Sequence, residues 1–306
     1  MTESATEMKP LKITVGIATA GRPAVLAETV AFIMKQSRPP DEFIICPASD
    51  ADVPPDWLEA APAGVRLIRA GRGLCVQRNG LLSVAGDADW VVFFDDDFFP
   101  SPHYLERLEK FCRQRQDIAM VTGLVLADGV NSGGIAPEEA QKIIESKKNA
   151  NITGEVFEEF GAYGCNMAIN GALFRKHDIR FDENLPLYGW FEDQDFSRQM
   201  ARYGRIVRAT DMTGVHLGVK SGRSPGRRLG YSQVANPIYL YRKGTLPFGR
   251  AASQVLRHVA KNCVWTLKPE PWVDRAGRMR GNFRALADLC TGRLNPMRVL
   301  DVDFSA

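Results

Sequence analysis

The chain has 306 residues, of which 45% are hydrophobic and 25% are charged, and its formal net charge is +3. This composition is that of a globular protein with one large domain and an appendage, or with two domains. No apolar run approaches the length of a transmembrane helix, and the acidic start of the chain is not the pattern of a signal peptide, so residues 1–10 are predicted to be a loose tail. The six cysteines form neither a CxxC pair nor a Cys/His cluster, which argues against a zinc site or a disulfide scaffold.

The charges are unevenly distributed along the chain. Residues 1–196 carry 19 Lys and Arg against 30 Asp and Glu, whereas residues 197–306 carry 20 against 6. The basic C-terminal part indicates a surface for phosphates, nucleic acid or anionic lipid. Because it contains no recognisable helix-turn-helix or RNA-binding signature, nucleic acid is not expected as a partner.

The first part of the chain alternates between strand-like and helix-like patterns. Short β-rich runs occupy residues 12–18, 42–46, 65–69 and 90–94. Helical patterns occupy residues 23–36, 56–58 and 74–84. This alternation is typical of an α/β domain with a mixed, largely parallel sheet flanked by helices.

The alternation continues to about residue 126 and then loosens. The patterns predict a helix over 102–115, a strand over 118–126, a helical segment near 137–148 and a helix over 191–203. In the basic C-terminal part, residues 250–268 have apolar positions on one helical face with basic residues beside them. That helix either docks on the domain or lies on a membrane surface, and the pattern does not decide between the two.

Polar segments follow three of the predicted strands. They are Thr19 to Arg22 after the first strand, Ser49-Asp50 after the second and Asp95 to Asp97 after the fourth. In open α/β sheets, ligands bind beyond the carboxyl ends of the strands. Three polar segments at that edge therefore predict a cleft of the nucleotide-binding type.

The three consecutive aspartates directly follow the apolar run WVVFF. Clustered carboxylates repel one another, so a folded chain usually supplies a cation nearby. In an extended turn Asp95 and Asp97 face one side and Asp96 faces the other, so the useful unit is D-x-D. Hard ions such as Mg²⁺ or Mn²⁺ take carboxylate oxygens together with substrate phosphates. The alternative is a solvated turn that precedes a helix start at Ser101-Pro102.

Six blocks of the sequence, in this order, resemble the family 2 inverting glycosyltransferases of the GT-A fold. The blocks are TAGR (19–22), GLCVQRNGL (73–81), GDADWVVFFDDDFFP (86–100), GCNMAINGALF (164–174), FEDQDFSRQMARYG (191–204) and VHLG (215–218). The resemblance covers roughly residues 11–245. It implies a metal-dependent enzyme that moves a sugar from a nucleotide donor to a hydroxyl of a saccharide or lipid-linked acceptor, in bacterial surface polysaccharide or glycolipid synthesis.

The resemblance also implies roles for residues on the donor side. Thr19 and Arg22 would lie at the nucleotide base and phosphates, and Arg78, with Asn79 beside it, would brace the diphosphate. Asp95 would face the ribose or the metal, and Asp96 belongs to the same nucleotide-sugar site. Asp97 and His216 would bind the divalent cation, Mn²⁺ or Mg²⁺.

On the acceptor side, Asp193 matches the catalytic base of the family, and Trp190 and Glu192 would line the acceptor site. A positioned carboxylate can take the proton of a hydroxyl and so make it a better nucleophile. A helix N-terminus beside Asp193 is expected to favour its ionised form. The alternative is that Glu192 and Asp193 are ordinary acids in the first turn of a helix.

The sequence departs from the family pattern after the second strand. Many relatives carry an acid there, but this chain reads IICPAS, with Cys46-Pro47 at that position. Ser49 or Asp50 could replace the missing contact to the nucleotide. The donor is therefore left open among UDP-, dTDP- and GDP-sugars.

The predicted organisation has three parts after the tail. Residues 11–218 form the catalytic domain, with a nucleotide-binding half (11–126) and an acceptor half (127–218). Residues 219–306 form a flexible loop, rich in Gly and Arg over 220–244, and a helical extension. We expect that loop to close over the donor phosphates, and we expect a cytoplasmic protein with peripheral contact at the inner membrane face as a further option.

Three other functions are less well supported by the sequence. A nucleotidylyltransferase of related fold would carry a Gly-rich loop with Arg and Lys after the first strand, and this chain lacks it. A phosphatase with a D-x-D motif would need Thr or Val at the position of Phe98. A noncatalytic nucleotide-sugar or glycan-binding relative would have no need for a base at Asp193.

Overall fold

The computed structural model describes residues 10–147, 154–222 and 224–301, so Arg223 and residues 1–9 of the predicted tail lie outside the described residues. The strands are β1 (Ile13–Thr19), β2 (Glu42–Pro47), β3 (Val65–Leu67), β4 (Trp90–Phe94), β5 (Phe98–Pro100), β6 (Ile118–Asp128), β7 (Val156–Glu158), β8 (Asn166–Asn170) and β9 (Arg205–His216). The helices are α1 (Pro23–Ile33), α2 (Leu74–Val84), α3 (Tyr104–Arg113), α4 (Pro137–Lys147), α5 (Gly171–Lys176), α6 (Glu192–Met200), α7 (Gly226–Lys243), α8 (Phe248–Trp265), α9 (Arg275–Cys290) and α10 (Arg298–Asp301).

One mixed sheet joins all these strands in the order β3-β2-β1-β4-β8-β6-β9-β5, with β7 paired to β9. The first four strands are parallel, and β8 lies antiparallel between β4 and β6. Because β1, β2 and β4 are parallel, their carboxyl ends share one edge of the sheet. The polar segments that follow them therefore meet there, as the strand alternation predicts.

The short strand β5 was not predicted, and it determines the position of the second half of the cleft. Three residues directly after the aspartates pair antiparallel with the end of β9, with Phe98 opposite His216. A three-residue strand carries too short a pattern to be read from the sequence. Its pairing brings His216 beside Asp97, although the two are far apart in the chain.

The core lies on both faces of the sheet. Strand β4 is buried along its whole length, and its neighbours contribute buried Ile, Val and Phe side chains to one face or the other. Fully burying one such side chain contributes about 1.5–3 kcal/mol. The central strands are thus rigid supports for the segments that follow their ends.

The C-terminal part is helical, as predicted, but the prediction of a flexible loop over 220–244 was wrong for most of that range. Residues 226–243 form α7, which has buried positions through most of its length and tolerates Pro237 in its interior. The Gly and Pro residues suggested a loop, whereas tertiary packing against α9 and α8 makes the segment helical. Within that range, the described residues 220–222, 224 and 225 precede the helix and belong to no helix or strand. The predicted domain boundary at 218 stays a prediction.

Two glycines permit α7 and α9 to cross closely. A Cβ atom at Gly230 would lie 2.1 Å from the Arg278 carbonyl oxygen, and one at Gly281 would lie 2.0 Å from the Arg227 carbonyl oxygen. Helix α7 is also tied to the preceding part of the chain, because Lys243 forms ion pairs with Asp182 and Asp195. The helical extension is therefore packed on the rest of the protein.

Helix α8 does not present its apolar residues on a single face. Val255 and Val259 pack on the helical cluster, whereas Leu256 is 69% exposed and Val264 is 63% exposed. Just beyond the helix, Leu267 is 90% exposed. In the described part of the chain, no helix combines the length and apolar character needed to span a bilayer.

Candidate active site

Asp95, Asp97 and His216 form a cluster at the carboxyl edge of the sheet. One ligand atom of each lies within 4.8 Å of the others. The His216 Nε2 atom is 3.3 Å from Asp97 Oδ1 and 4.0 Å from Asp95 Oδ2. Two carboxylates and an imidazole are a donor set that suits Mn²⁺ and, through the carboxylates, Mg²⁺. The residues present therefore fit a divalent cation.

Asp128 orients the imidazole of His216. Its Oδ1 atom is 3.1 Å from His216 Nδ1, and its Oδ2 atom accepts a hydrogen bond from the Tyr163 hydroxyl at 2.8 Å. Burial lowers the pKa of His216, but Asp128 and Asp97 outweigh this effect and raise it to about 10. A carboxylate behind a histidine typically fixes the ring for metal binding. The sequence did not single out Asp128, since an acid at the end of a long strand is not a distinctive signal.

Asp96 faces away from this cluster. It is fully buried, its Oδ2 accepts a hydrogen bond from Thr19 Oγ1 at 2.5 Å, and its Oδ1 lies 2.5 Å from an Arg22 nitrogen. Burial raises the pKa of Asp96 to about 7 against the opposing charge of Arg22. For Asp97, burial is outweighed by hydrogen bonding with His216 and by Arg22, so its pKa is below the usual range. Arg22 thus binds both aspartates.

Arg78 links the two groups of acids. Its guanidinium is 2% exposed and contacts Glu192 Oε1 at 2.5 Å, Asp95 Oδ1 at 3.1 Å and the Gly164 carbonyl oxygen at 2.9 Å. Removing one partner of such a buried pair typically costs about 3–5 kcal/mol. Arg78 therefore fixes the spacing between Asp95 and Glu192, which the resemblance did not suggest.

Asn79 does not reach the cleft. Its side-chain amide donates to the Phe181 carbonyl oxygen and to Glu183, and its oxygen accepts from the Phe181 N–H. The amide thus holds the segment that follows α5. The structure assigns it contacts within the protein, away from the position expected for a donor diphosphate.

Asp193 lies at the start of α6 and is partly exposed. Its Oδ1 accepts from the Gln194 N–H at 2.7 Å and its Oδ2 from the Gly164 N–H at 3.1 Å. Burial raises the pKa of Asp193, and these two hydrogen bonds lower it without cancelling the burial effect. The hydrogen bond at the helix N-terminus therefore lowers the pKa of Asp193, as expected, but the net result is a raised pKa. A carboxylate with a raised pKa is a stronger base once it is ionised.

Glu192 is buried beside Asp193. Burial and then the neighbouring Asp193 raise the pKa of Glu192 to about 8, with Arg78 opposing them. The residue before it, Phe191, has φ 75°, a left-handed conformation that turns the chain into α6. The left-handed turn at Phe191 and the contact with Arg78 thus place the two acids. Ordinary acids in the first turn of a helix would need neither.

The segment after β2 places a different acid from those expected. Asp50 is exposed and pairs with Arg69, whereas Ser49 donates to Asp52 at 2.8 Å. Asp52 is buried and accepts a hydrogen bond from the Gly21 N–H at 2.5 Å. Asp52 therefore supports the segment after β1. Sequence reasoning missed it because it lies outside the stretch where the family pattern has its acid.

A cavity of about 200 Å³, partly open to solvent, lies beside these residues, and we call it the first cavity. Its lining includes polar and acidic residues, Thr19, Asp95 and Asp96. It also includes three arginines, Arg22, Arg72 and Arg228. Ser224 and Pro225, between β9 and α7, also line it. Arg22 forms ion pairs with Asp96 and Asp97, whereas Arg72 and Arg228 place further positive charge in the lining.

A second cavity of about 160 Å³ lies next to the first and shares Tyr188 and Ser224 with it. Trp190 lines the second cavity, and its carbonyl oxygen accepts a hydrogen bond from Asn236 at 2.8 Å. Helix α7 therefore fixes the segment that carries Trp190.

Comparison with known proteins agrees with this architecture. The family model "Glycosyl transferase family 2" matches residues 14–176, just over half of the chain. No curated protein sequence matches the chain. A crystal structure of residues 1–349 of S. aureus TarS is similar with a TM-score of 0.55 at 14% identity, over 92% of this chain and 92% of that chain.

Two further solved structures show the same similarity of fold. The same TarS fragment in complex with UDP-GlcNAc gives a TM-score of 0.54 at 14% identity, over 92% of this chain and 93% of that one. A longer S. aureus TarS structure gives 0.51 at 17% identity, over 85% of this chain and 46% of that one. The mixed sheet, the acid cluster at its edge and the family match agree: this chain belongs to glycosyl transferase family 2 and is a glycosyltransferase with the GT-A fold.

Proposed function

We propose that this glycosyltransferase is metal-dependent and inverting, and that it transfers a sugar from a nucleoside-diphosphate donor to a hydroxyl of a saccharide or lipid-linked acceptor. The observation that carries the proposal is the arrangement of two carboxylate groups around Arg78. Asp95, with Asp97 and His216, lies on one side of it, and Glu192, with Asp193, lies on the other. In this proposal one end of the site would hold the metal and the diphosphate, and the other end would supply the base.

The donor would occupy the first cavity. Arg22, Arg72 and Arg228 supply positive charge for a diphosphate, and Thr19 lies at the end of β1, where the nucleotide is expected. The structure of a TarS fragment with UDP-GlcNAc supports a nucleotide-sugar as the donor class. UDP-, dTDP- and GDP-sugars are the donors to test.

The cation would be held by Asp95, Asp97 and His216. When bound, Mn²⁺ or Mg²⁺ would neutralise negative charge on the leaving nucleoside diphosphate. Asp128 contacts the Nδ1 atom of His216 and so keeps the ring in place. The Nε2 atom of His216 is then directed at Asp95 and Asp97. Arg22 adds a second positive charge beside Asp97.

Asp193 would act as the base. Its carboxylate takes the proton of the acceptor hydroxyl while the oxygen forms a bond to the anomeric carbon. The bond from that carbon to the donor phosphate breaks, and its electron pair leaves with the nucleoside diphosphate. One displacement of this kind inverts the configuration at the anomeric carbon.

The Asp97→Asn variant tests the metal site. We expect donor hydrolysis and sugar transfer to fall by about 100-fold or more, since the variant loses one anionic metal ligand. The measurement is turnover of a panel of nucleotide-sugars with Mn²⁺ or Mg²⁺, with and without a chelator.

The matched control is Asp117→Asn, which removes an exposed carboxylate that pairs with Arg205 and to which no role in the site is assigned. It should keep wild-type turnover. Full activity of Asp97→Asn, or chelator-resistant turnover by the wild type, would exclude the metal site. If the wild-type protein binds nucleotide-sugars but neither hydrolyses nor transfers them, it is instead a noncatalytic relative.

We also propose that the protein contacts anionic membranes through the end of α8, on the cytoplasmic face. Leu256, Val264 and Leu267 are exposed there, and basic residues including Arg257 and Lys268 accompany them. Each basic residue near an anionic surface contributes about 1 kcal/mol of attraction. Charge complementarity therefore favours an anionic bilayer as the partner of this surface.

The Leu267→Asp variant tests this contact. Cosedimentation with phosphatidylglycerol vesicles should drop several-fold relative to the wild type, and binding of the wild type should weaken with added salt. Leu58→Asp, which changes an exposed leucine in the acidic part of the chain, is the control and should bind as the wild type does. Equal sedimentation of both variants would contradict the proposal.

A further inference from the structure

The second cavity lies mostly outside the part of the chain that matches the family. Trp190, His258, Lys261, Trp272 and Arg278 all line it, and all follow residue 176. The turn at Val130-Asn131 closes it on the side of Asp128. The cavity therefore adjoins the first cavity, and most of its wall belongs to the helical extension.

The lining of this cavity has an excess of positive charge. His258, Lys261, Arg275 and Arg278 line it, and Glu270 is the acid among its lining residues. Glu270 is already engaged, because both of its oxygens accept hydrogen bonds from Arg275 at 2.8 and 2.6 Å. In the described part of the chain Lys261 has no ion-pair partner. Lys261 therefore adds a positive charge that Glu270 does not balance, and Arg278 places a second guanidinium in the same wall.

The pKa of His258 is lowered by the positive charges around the cavity. Burial, and then repulsion by Arg278 and Lys261, lower its pKa to about 4. Arg257 and Arg275 act in the same direction. His258 is consequently neutral near pH 7 and offers a hydrogen bond without adding a further charge.

Aromatic rings supply the rest of the wall. Tyr188, Trp190 and Trp272 line the cavity, and the Trp190 ring lies 5.3 Å from the His258 ring between centroids. The Trp190 Nε1 atom is buried and has no hydrogen-bond partner among the described residues. Flat apolar rings beside hydrogen-bonding groups are suited to a ligand with both apolar faces and hydroxyls.

A buried polar network makes the cavity floor rigid. The Asn262 amide donates to Gln233 at 2.9 Å and to Asn282 at 2.8 Å, and its oxygen accepts from Arg275 at 2.9 Å. Asn282 in turn donates to the Gly230 carbonyl oxygen at 2.7 Å. This network joins α7, α8 and α9, so the cavity is preformed.

We propose that the second cavity binds the acceptor and that the acceptor is a saccharide carrying a phosphate group. The sugar rings lie against Trp190 and Trp272, and the phosphate is bound by Lys261 and Arg278. The shared residues Tyr188 and Ser224 place the acceptor next to the donor cavity. This inference rests on the proposed glycosyl transfer. It adds that the helical extension recognises the phosphate of the acceptor.

Tryptophan fluorescence tests the inference in the full-length protein. Glucose 6-phosphate should quench the emission of Trp190 and Trp272, whereas glucose should do so at least about ten-fold more weakly. Lys261→Gln and Arg278→Gln should each weaken binding of the phosphate ester by about ten-fold and leave the response to glucose unchanged. Arg280→Gln, an exposed arginine two positions along α9, is the matched control and should bind as the wild type does.

A parallel measurement separates this inference from the proposed function. Thermal stabilisation by UDP-GlcNAc with Mn²⁺ reports on the donor cavity. Donor binding without any response to glucose 6-phosphate would overturn only the acceptor inference, as would equal binding of glucose and its phosphate. If no nucleotide-sugar of the panel binds or turns over, the proposed function itself fails.

The phosphate could belong to a soluble saccharide or to a lipid carrier. A polyprenyl phosphate in detergent micelles distinguishes the two sources. Displacement of glucose 6-phosphate by the micelles identifies a lipid-linked acceptor, and retention identifies a soluble one. Both outcomes support a phosphate-binding cavity.

Discussion

Replacing Asp193 by Asn is expected to lower the rate of sugar transfer by about 10²–10⁴-fold, the usual contribution of a general base. The amide keeps the shape of the side chain, and its oxygen can still accept the hydrogen bond from the Gln194 N–H. The cation cluster and the first cavity are unchanged, so stabilisation by donor and Mn²⁺ should stay at the wild-type level. The measurement is transfer rate and donor-induced thermal shift on the same samples.

The wild-type rate should also depend on pH in a defined direction. Because burial raises the pKa of Asp193, the base is lost as the pH falls through a value above that of an exposed aspartate. Asp178→Asn, at an exposed carboxylate that pairs with Arg180, is the control and should leave rate and pH profile unchanged. Asp193→Asn with wild-type transfer would show that another group takes the proton.

The second large effect is expected for stability, from Gly281→Ala. The added Cβ atom would lie 2.0 Å from the Arg227 carbonyl oxygen and 2.7 Å from the Tyr231 nitrogen. Both are backbone atoms, so α7 and α9 must move apart, and Tyr231 and Ala285 at their contact are fully buried. We expect a loss of about 2–4 kcal/mol in the free energy of unfolding. Chemical denaturation of the purified variant measures it.

Gly249→Ala is the matched control for this prediction. Gly249 lies in the first turn of α8, and a Cβ atom there would have no neighbour within 4 Å. Because alanine is the better helix former, the change should be neutral or stabilising by up to about 1 kcal/mol. A similar loss in both variants would mean that helix propensity, and not the close crossing, determines the effect.

Much of the fold could be predicted where pattern and packing agree. The bounds of α2 and β4 match the predicted ones, since each has an unambiguous period and clear ends. The alternation of strands and helices was sufficient to predict the α/β class and the edge where Thr19 and the aspartates meet. The opposite orientations of Asp95 and Asp96 follow from the geometry of an extended turn.

Other features depend on contacts that no local pattern encodes. Helix α7 contains Gly230 and Pro237, which weaken any helix in isolation, and it forms because the glycine permits close packing on α9. Asp52 and Asp128 act through partners distant in the chain, Gly21 and His216, so their role becomes visible only when the strands are assembled. The lining of the second cavity could not be predicted for the same reason.

The pairing of Phe98 with His216 has a consequence for folding experiments. Side chains alternate between the two faces of a strand, so a slip of one residue between β5 and β9 would turn His216 to the other face. The three candidate ligands therefore come together only in the native register. The region 14–176 contains both aspartates but neither β9 nor His216. Cation binding would thus serve as a probe that distinguishes the correctly assembled sheet from compact states with misaligned strands.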